Sequence, residues 1–111
     1  MVKPSAVGTE LEELRAEIER IDESVIAAIE ARQRLARRIG QLKRAAGMTL
    51  VQPAREAAVV RRAAEIARSS GLDPESVREI FWRLIDMSRR AQADAAAVTD
   101  GGLDPSGEEA R

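Results

Sequence analysis

The 111-residue chain has the length of one modest domain, contains neither cysteine nor histidine, and carries 18 basic and 19 acidic side chains for a net charge of −1. Without cysteine there is no disulfide and no thiolate nucleophile, and without histidine the commonest general base and the commonest metal ligand are both missing. The balanced charge argues against a strongly DNA-binding domain, and the abundance of alanine, arginine and glutamate is typical of a helical protein with an aliphatic core.

The sequence contains no apolar run of roughly 18 residues that could cross a membrane. Its first ten residues, MVKPSAVGTE, lack the apolar centre of a secretory signal peptide, so we expect a cytoplasmic protein. We expect residues 1–8 to form a flexible leader and residues 9–98 to form a single helical domain. Residues 99–111 are rich in turn-forming and acidic residues, and we expect this tail to be disordered.

The first predicted helix begins at a capping box, T-E-L-E, in which Thr9 accepts a hydrogen bond from the backbone of Glu12 and Glu12 reaches back. Beyond it, apolar or small residues recur at alternating spacings of three and four, which is typical of a coiled-coil seam with one arginine in it. The seam comprises Leu11, Leu14, Ile18, Ile21, Val25, Ala28, Arg32, Leu35, Ile39, Leu42 and Ala46. The pattern predicts one very long helix, roughly 55 Å in length, that ends near Gly47.

Two shorter helices are predicted to follow. The second has Pro53 in its first turn and ends at residues 70–71, and the third begins with the cap and acidic first turn of residues 73–75. Their apolar stripes are Val59, Val60, Ala63, Ile66 and Ala67, and then Val77, Ile80, Phe81, Leu84 and Ile85. No segment shows a strand pattern, so we predict an all-α chain. Two short helices cannot cover the seam of so long a helix, and we therefore expect a homodimer.

Six polar residues fall on or beside these stripes, where the pattern calls for apolar side chains. They are Arg32 and Lys43 on the first helix, Arg55 and Glu56 on the second, and Ser88 and Gln92 on the third. Buried charges require partners, and three cations exceed one carboxylate. The surplus of positive charge predicts an anionic ligand between the three helices.

Each of these residues has a simpler interpretation when it is taken alone. A seam arginine can extend its charge to solvent or set the helix register, Lys43 can be solvated, and Ser88 and Gln92 can mark a stripe that leaves the core. The combination on three helices favours a pocket. The remaining arginines are interpreted as a solvated face: Arg34, Arg37, Arg38, Arg44, Arg61, Arg62, Arg78, Arg83, Arg89 and Arg90.

Arg15 lies beside the seam, seventeen residues before Arg32. In a helix this separation is roughly 25 Å along the axis, which no arginine side chain spans. If Arg15 serves the same pocket, it must come from the other chain of the dimer.

The ordered segments LRAEIERIDESVIAAIEARQRLARRIGQLKR, QPARE and IFWRLIDMSRRAQ resemble the all-helical chorismate mutases over residues 11–92. The resemblance implies an intertwined homodimer of three-helix chains with two equivalent active sites. It also implies an isomerase that converts chorismate, a dicarboxylate, to prephenate by a Claisen rearrangement without a metal or a cofactor.

The resemblance assigns roles to individual residues. Arg15 of the other chain and Arg32 would bind the two substrate carboxylates. Lys43 and Gln92 would donate to the ether oxygen, and Glu56 would accept from the C4 hydroxyl.

Three further residues complete the site that the resemblance implies. Arg55 would belong to the same cationic wall, and Ser88 would support a carboxylate. Gln52 stands where the family commonly has an aspartate near the C4 hydroxyl, which leaves room for a substrate that differs at C4.

Two other classes of function remain open. An isochorismate pyruvate-lyase or a 4-amino-4-deoxychorismate mutase would keep the fold and change the substrate. A non-enzymatic helical dimer could instead bind nucleic acid through residues 32–44, or serve as a structural bundle. Nucleic-acid binding would favour basic residues spread over one exposed face, whereas here acids are scattered among the bases, so we expect no nucleic-acid partner.

Overall fold

The structure is a computed structural model in which the backbone is described for residues 4–101 and the side chains for residues 5–97. It contains three helices: α1 Pro4–Ala45, α2 Pro53–Ser69 and α3 Pro74–Gly101. The described backbone contains no strand, and none of its helices is long and apolar enough to cross a membrane. The prediction of an all-α chain with a very long first helix is confirmed, and the intertwining of two chains stays a prediction.

The contacts of the chain divide it into two units, residues 1–31 and residues 32–111. In the first unit, the described residues form one stretch of α1 whose apolar seam is exposed. Its seam side chains are 44–60% exposed: Leu11, Leu14, Ile18, Ile21 and Val25. A helix derives most of its stability from packing its apolar stripe, so this stretch requires a covering surface.

The structure corrects the predicted start of the first helix, because α1 begins five residues before the expected cap. The Thr9 hydroxyl donates to the carbonyl oxygen of Ser5 at 3.0 Å, a bond that threonine makes inside helices, rather than capping the amide of Glu12. Residues 4–8, which belong to the predicted leader, are therefore helical. Residues 1–3 of the predicted leader lie outside the described residues.

Helices α1 and α2 both end before a glycine in the left-handed region, Gly47 at φ 68° and Gly71 at φ 76°. In each case the amide that follows the glycine donates to a carbonyl oxygen five residues earlier at 2.8 Å, as in a Schellman motif. Glycine adopts this backbone conformation without the steric cost of a Cβ. The predicted helix stops near Gly47 and at residues 70–71 are confirmed.

Helix α3 begins as its sequence predicts and ends later. Asp73 Oδ2 accepts hydrogen bonds from the Ser76 amide at 3.2 Å and from the Ser76 hydroxyl at 2.7 Å, which caps the first turn. The helix continues to Gly101 and thus includes residues 99–101 of the predicted tail, because the preceding alanine-rich run favours helix. The rest of the expected tail, residues 102–111, lies outside the described residues.

The core of the second unit is built mostly from alanine. Its buried apolar residues are Ala36, Val60, Ala63, Ala64, Ala67, Ile85, Ala91, Ala95 and Ala96. On α1 the buried positions are Ala36 and Gly40, whereas Leu35, Ile39 and Leu42 of the seam remain 44–63% exposed. The face of α1 that packs inside this unit therefore lies one residue on from the predicted seam, because small residues let the helices approach more closely there. Ile66 and Ile80 of the predicted stripes are also exposed.

Gly40 marks a close approach of α1 to α3. A Cβ added at this glycine would lie 2.4 Å from the carbonyl oxygen of Gln92 and 2.6 Å from its Cα, and both are backbone atoms that cannot rotate away. Any side chain at position 40 would therefore push the two helices apart.

We expect Gly40→Ala to lower the free energy of unfolding by about 1–3 kcal/mol, because an overpacked contact costs more than the gain in helix propensity returns. Urea unfolding at fixed protein concentration measures the change. Gly8→Ala is the matched control, since an added Cβ at Gly8 has no neighbour within 4 Å. It should be neutral or stabilising by up to about 1 kcal/mol. Equal stability of the two variants would contradict the close contact.

Candidate active site

A cavity of about 350 Å³ lies within the second unit, a volume that suits a small-molecule ligand. All three helices and the connection between α1 and α2 contribute to its wall. Seven residues predicted from the sequence line it together: Arg32, Lys43, Gln52, Arg55, Glu56, Ser88 and Gln92. Apolar side chains, among them Ile39, Val59 and Ile85, complete the wall.

Arg32 is half-buried and is fixed to α3. Its Nη1 donates to Ser88 Oγ at 2.5 Å and to the Leu84 carbonyl oxygen at 3.4 Å. The Ser88 hydroxyl in turn donates to the Leu84 carbonyl oxygen at 3.0 Å, so its own orientation is set by the helix. These bonds involve one guanidinium nitrogen, and the other N–H groups of the fork can bind an anion bidentately.

Lys43 joins α1 to the loop that follows it and to α3. Its Nζ donates to the Leu50 carbonyl oxygen at 2.8 Å and to Gln92 Oε1 at 3.0 Å. Because Oε1 accepts this bond, the NH₂ end of the Gln92 amide remains as a donor beside the ammonium group. Two fixed donors therefore lie together on one wall of the cavity.

Glu56 forms an ion pair that the sequence analysis missed. Arg89 Nε donates to Glu56 Oε2 at 2.9 Å, and Arg89 Nη2 donates to Glu56 Oε1 at 2.5 Å. Arg89 is exposed, as its interpretation as part of a solvated face implies, but it also lines the cavity, which that interpretation missed. Its spacing carried the signal: Arg89 follows the buried Ile85 by four residues and precedes Gln92 by three, which places it on the inward side of α3.

The surroundings of Glu56 favour its ionised form. The hydrogen bonds from Arg89 hold the pKa of the Glu56 carboxyl below its usual value, and the positive charges of Arg89 and Lys43 act in the same direction. Burial acts in the opposite direction and is outweighed. The carboxylate is thus an acceptor at neutral pH rather than a proton donor.

The start of α2 brings two more predicted residues to the cavity. Gln52 occupies the N-cap position, where its side chain makes no capping hydrogen bond and its carbonyl oxygen accepts from the Glu56 amide at 3.1 Å. Arg55 lines the cavity but is exposed, which corrects the expectation that it continues a buried stripe. Arg15 belongs to the first unit of the chain, so its part in the site stays a prediction.

The side chains that line the cavity carry a surplus of positive charge. Four cations, Arg32, Lys43, Arg55 and Arg89, line it together with one carboxylate, that of Glu56. Such a site suits a ligand with more than one negative charge. Among the described residues, no group of three acidic side chains could hold a metal ion.

The family model for chorismate mutase type II matches residues 14–93. The chain belongs to this family. The resemblance seen in the sequence is thereby confirmed, and with it an enzyme of the isomerase class and the chorismate mutase type of function.

Two relatives share substantial identity with the chain. It is 32% identical over 89 residues to a 4-amino-4-deoxychorismate mutase of Streptomyces pristinaespiralis, an alignment that covers 80% of this chain and 69% of the relative. It is 47% identical over 47 residues to a bifunctional chorismate mutase/prephenate dehydratase of Aquifex aeolicus, covering 42% of this chain and 13% of that much longer protein.

We expect the stability difference between the wild type and Glu56→Gln to depend on pH. The pKa of Glu56 is lower in the folded state than in the unfolded state. The Glu56–Arg89 pair therefore stabilises the fold at pH values above the unfolded-state pKa, and this stabilisation is lost as the pH falls through the folded-state pKa. At pH 7 the Glu56→Gln variant should unfold at a lower urea concentration than the wild type, and this difference should shrink progressively below about pH 4.

Urea unfolding at a series of pH values measures this difference. The control is Glu65→Gln, an exposed position on the same helix, for which the difference should stay small throughout. A penalty for Glu56→Gln that is constant with pH, or grows on acidification, would contradict the ion pair.

Proposed function

We propose that the cavity is an active site that converts chorismate to prephenate. The observation that carries the proposal is the hydrogen bond from Lys43 to Gln92, which holds two donors side by side in a cationic cavity. Membership of the chorismate mutase type II family supports the reaction type. A cytoplasmic location, expected of a biosynthetic enzyme, belongs to the same proposal.

The reaction suits a chain without cysteine or histidine. A Claisen rearrangement is unimolecular and requires no nucleophile, proton transfer, metal or cofactor. The enzyme has to hold a flexible dianion in the compact conformer that reacts, and fixed cations do this by binding both carboxylates. Arg32, oriented by Ser88, would bind one of them, and Arg55 would contribute positive potential from the start of α2.

Charge develops on the ether oxygen as the carbon–oxygen bond breaks. Lys43 and the Gln92 amide would donate to this oxygen, and their mutual hydrogen bond keeps both in position before the substrate arrives. Donors fixed in advance stabilise the transition state more than the ground state, since they need no reorganisation. Glu56 would accept a hydrogen bond from the C4 hydroxyl.

The homodimer is part of the proposal. In the first unit the seam of α1 is exposed from Leu11 to Val25, and in the second unit it is exposed from Leu35 to Leu42. A second copy of the chain that covers the seam would bury these side chains. Arg15 would then reach the cavity of the other chain and bind the second substrate carboxylate.

A second candidate is the rearrangement of 4-amino-4-deoxychorismate. It is favoured by the 32% identity with a relative of that name and by Gln52, which lines the cavity near Glu56 without the acidic side chain common in chorismate mutases. Comparing the turnover of the two substrates distinguishes the candidates.

Arg32→Ala should lower kcat/KM for chorismate by at least about a hundredfold, because a charged contact to a substrate carboxylate is lost. Circular dichroism should show an unchanged helical fold. Arg37→Ala is the matched control, an exposed arginine on the same helix that does not line the cavity, and it should retain activity. A folded Arg32→Ala enzyme with full activity would remove Arg32 from the site.

Mixing Arg15→Ala and Arg32→Ala chains should restore activity. If Arg15 acts across the dimer, each heterodimer has one intact site and one site with both changes. Random mixing should therefore recover about one quarter of the wild-type activity, measured as prephenate formation after refolding together. Each variant refolded alone is the control, and demonstrated heterodimers without activity would exclude the cross-chain role.

A further inference from the structure

One ion pair of the cavity includes a residue, Arg89, that has no role in the proposed mechanism. Arg89 binds both oxygens of Glu56 through Nε and Nη2, at 2.9 and 2.5 Å. The Glu56 side chain is 14% exposed and the Arg89 side chain 44% exposed, and both line the cavity. The pair joins α2 to α3, so it holds the carboxylate in one orientation.

This pair changes what Glu56 can recognise. A carboxylate has about four lone-pair sites, so two bonds from Arg89 leave it able to accept from a substrate group. Its negative charge, however, is compensated by Arg89 and also by Lys43 on α1. On its own helix the neighbouring Arg55 is a further cation of the cavity wall. The hydrogen bonds and the negative charge of Glu56 raise the pKa of the Arg89 guanidinium, and Asp86 on α3 acts in the same direction, so the cation is maintained.

Resting on the proposed function, we propose that Arg89 is a positioning and specificity residue that makes the site prefer a neutral hydrogen-bond donor at C4 of the substrate over a cationic one. A C4 hydroxyl requires only an oriented acceptor, which the Glu56–Arg89 pair supplies. An aliphatic C4 amine is protonated at neutral pH and would bring a further positive charge into a cavity whose one carboxylate is already compensated. Arg89 thus acts through Glu56 and disfavours the amino substrate.

A neighbouring arginine provides the contrast. Arg90 pairs with Asp86 on its own helix, and the two side chains are 73% and 43% exposed. Arg90 does not line the cavity. The same residue type one position along the helix therefore forms a surface pair, whereas Arg89 holds a partly buried carboxylate that faces the ligand space.

The test is the ratio of kcat/KM for chorismate to kcat/KM for 4-amino-4-deoxychorismate. Arg89→Met keeps the aliphatic stem and removes the charge, and it should lower this ratio by about tenfold. Arg89→Lys should restore part of it, and Arg90→Met should leave it unchanged. If Arg89→Met does not fold, Arg89→Gln keeps a donor without the charge and should shift the ratio in the same direction.

The pH profile supplies a readout that a purely structural role would not change. Without Arg89 the pKa of Glu56 should rise, so the acid limb of kcat/KM for chorismate should move to higher pH in Arg89→Met and not in Arg90→Met. An unchanged ratio with an unchanged acid limb, in an active folded variant, would overturn the inference. Turnover of neither substrate by the wild type would overturn the proposed function, and this inference with it.

Discussion

The contact between Gly40 and the backbone of Gln92 is the constraint on which the candidate site depends. Because a glycine stands there, α1 and α3 meet backbone to backbone, closer than any side chain would allow. One turn along α1, Lys43 reaches the Gln92 amide, and two turns back Arg32 reaches Ser88. Both long basic side chains are thus held by α3 rather than left to extend into solvent.

The electrostatics of the cavity follow from this packing. Cations from α1 and α2 line the cavity together with a single carboxylate, that of Glu56, and Arg89 from α3 forms an ion pair with this carboxylate. A cavity with this charge and an alanine-rich core beside it is suited to binding and orienting a small dianion. Catalysis by orientation and fixed charge is consistent with a family of isomerases and with a chain that has no histidine or cysteine.

The sequence allowed the face of each helix to be predicted where the signal is local. Arg32 and Lys43 could be assigned to a pocket because helical periodicity shows which residues share a face. The stop at Gly47 and the cap at Asp73 depend on neighbouring residues alone, and both predictions are confirmed. The start of α1 was missed because Thr9 bonds backwards to Ser5, an alternative that the same residues allow equally well.

Features that depend on tertiary approach could not be predicted in this way. From the sequence, Gly40 indicates only a position of low helix propensity. Its role in letting α1 approach α3 becomes visible only in the folded structure, where the Gln92 backbone lies opposite it. Arg89 was assigned to solvent because its partner is 33 residues away on another helix. The face of α1 that packs on α3 is offset by one residue from the predicted seam. A periodic pattern does not show which of two adjacent helix faces packs within its own chain and which is left to pack against another chain.

The most direct test of the central claim is to identify the product formed by the full chain. Purified protein would be incubated separately with chorismate and with 4-amino-4-deoxychorismate, and the products would be separated by chromatography, with and without a bicyclic dicarboxylate that mimics the transition state. We predict that chorismate is converted to prephenate and that the mimic blocks this conversion. A folded protein that leaves chorismate unchanged would contradict the assignment of the cavity as a chorismate mutase site.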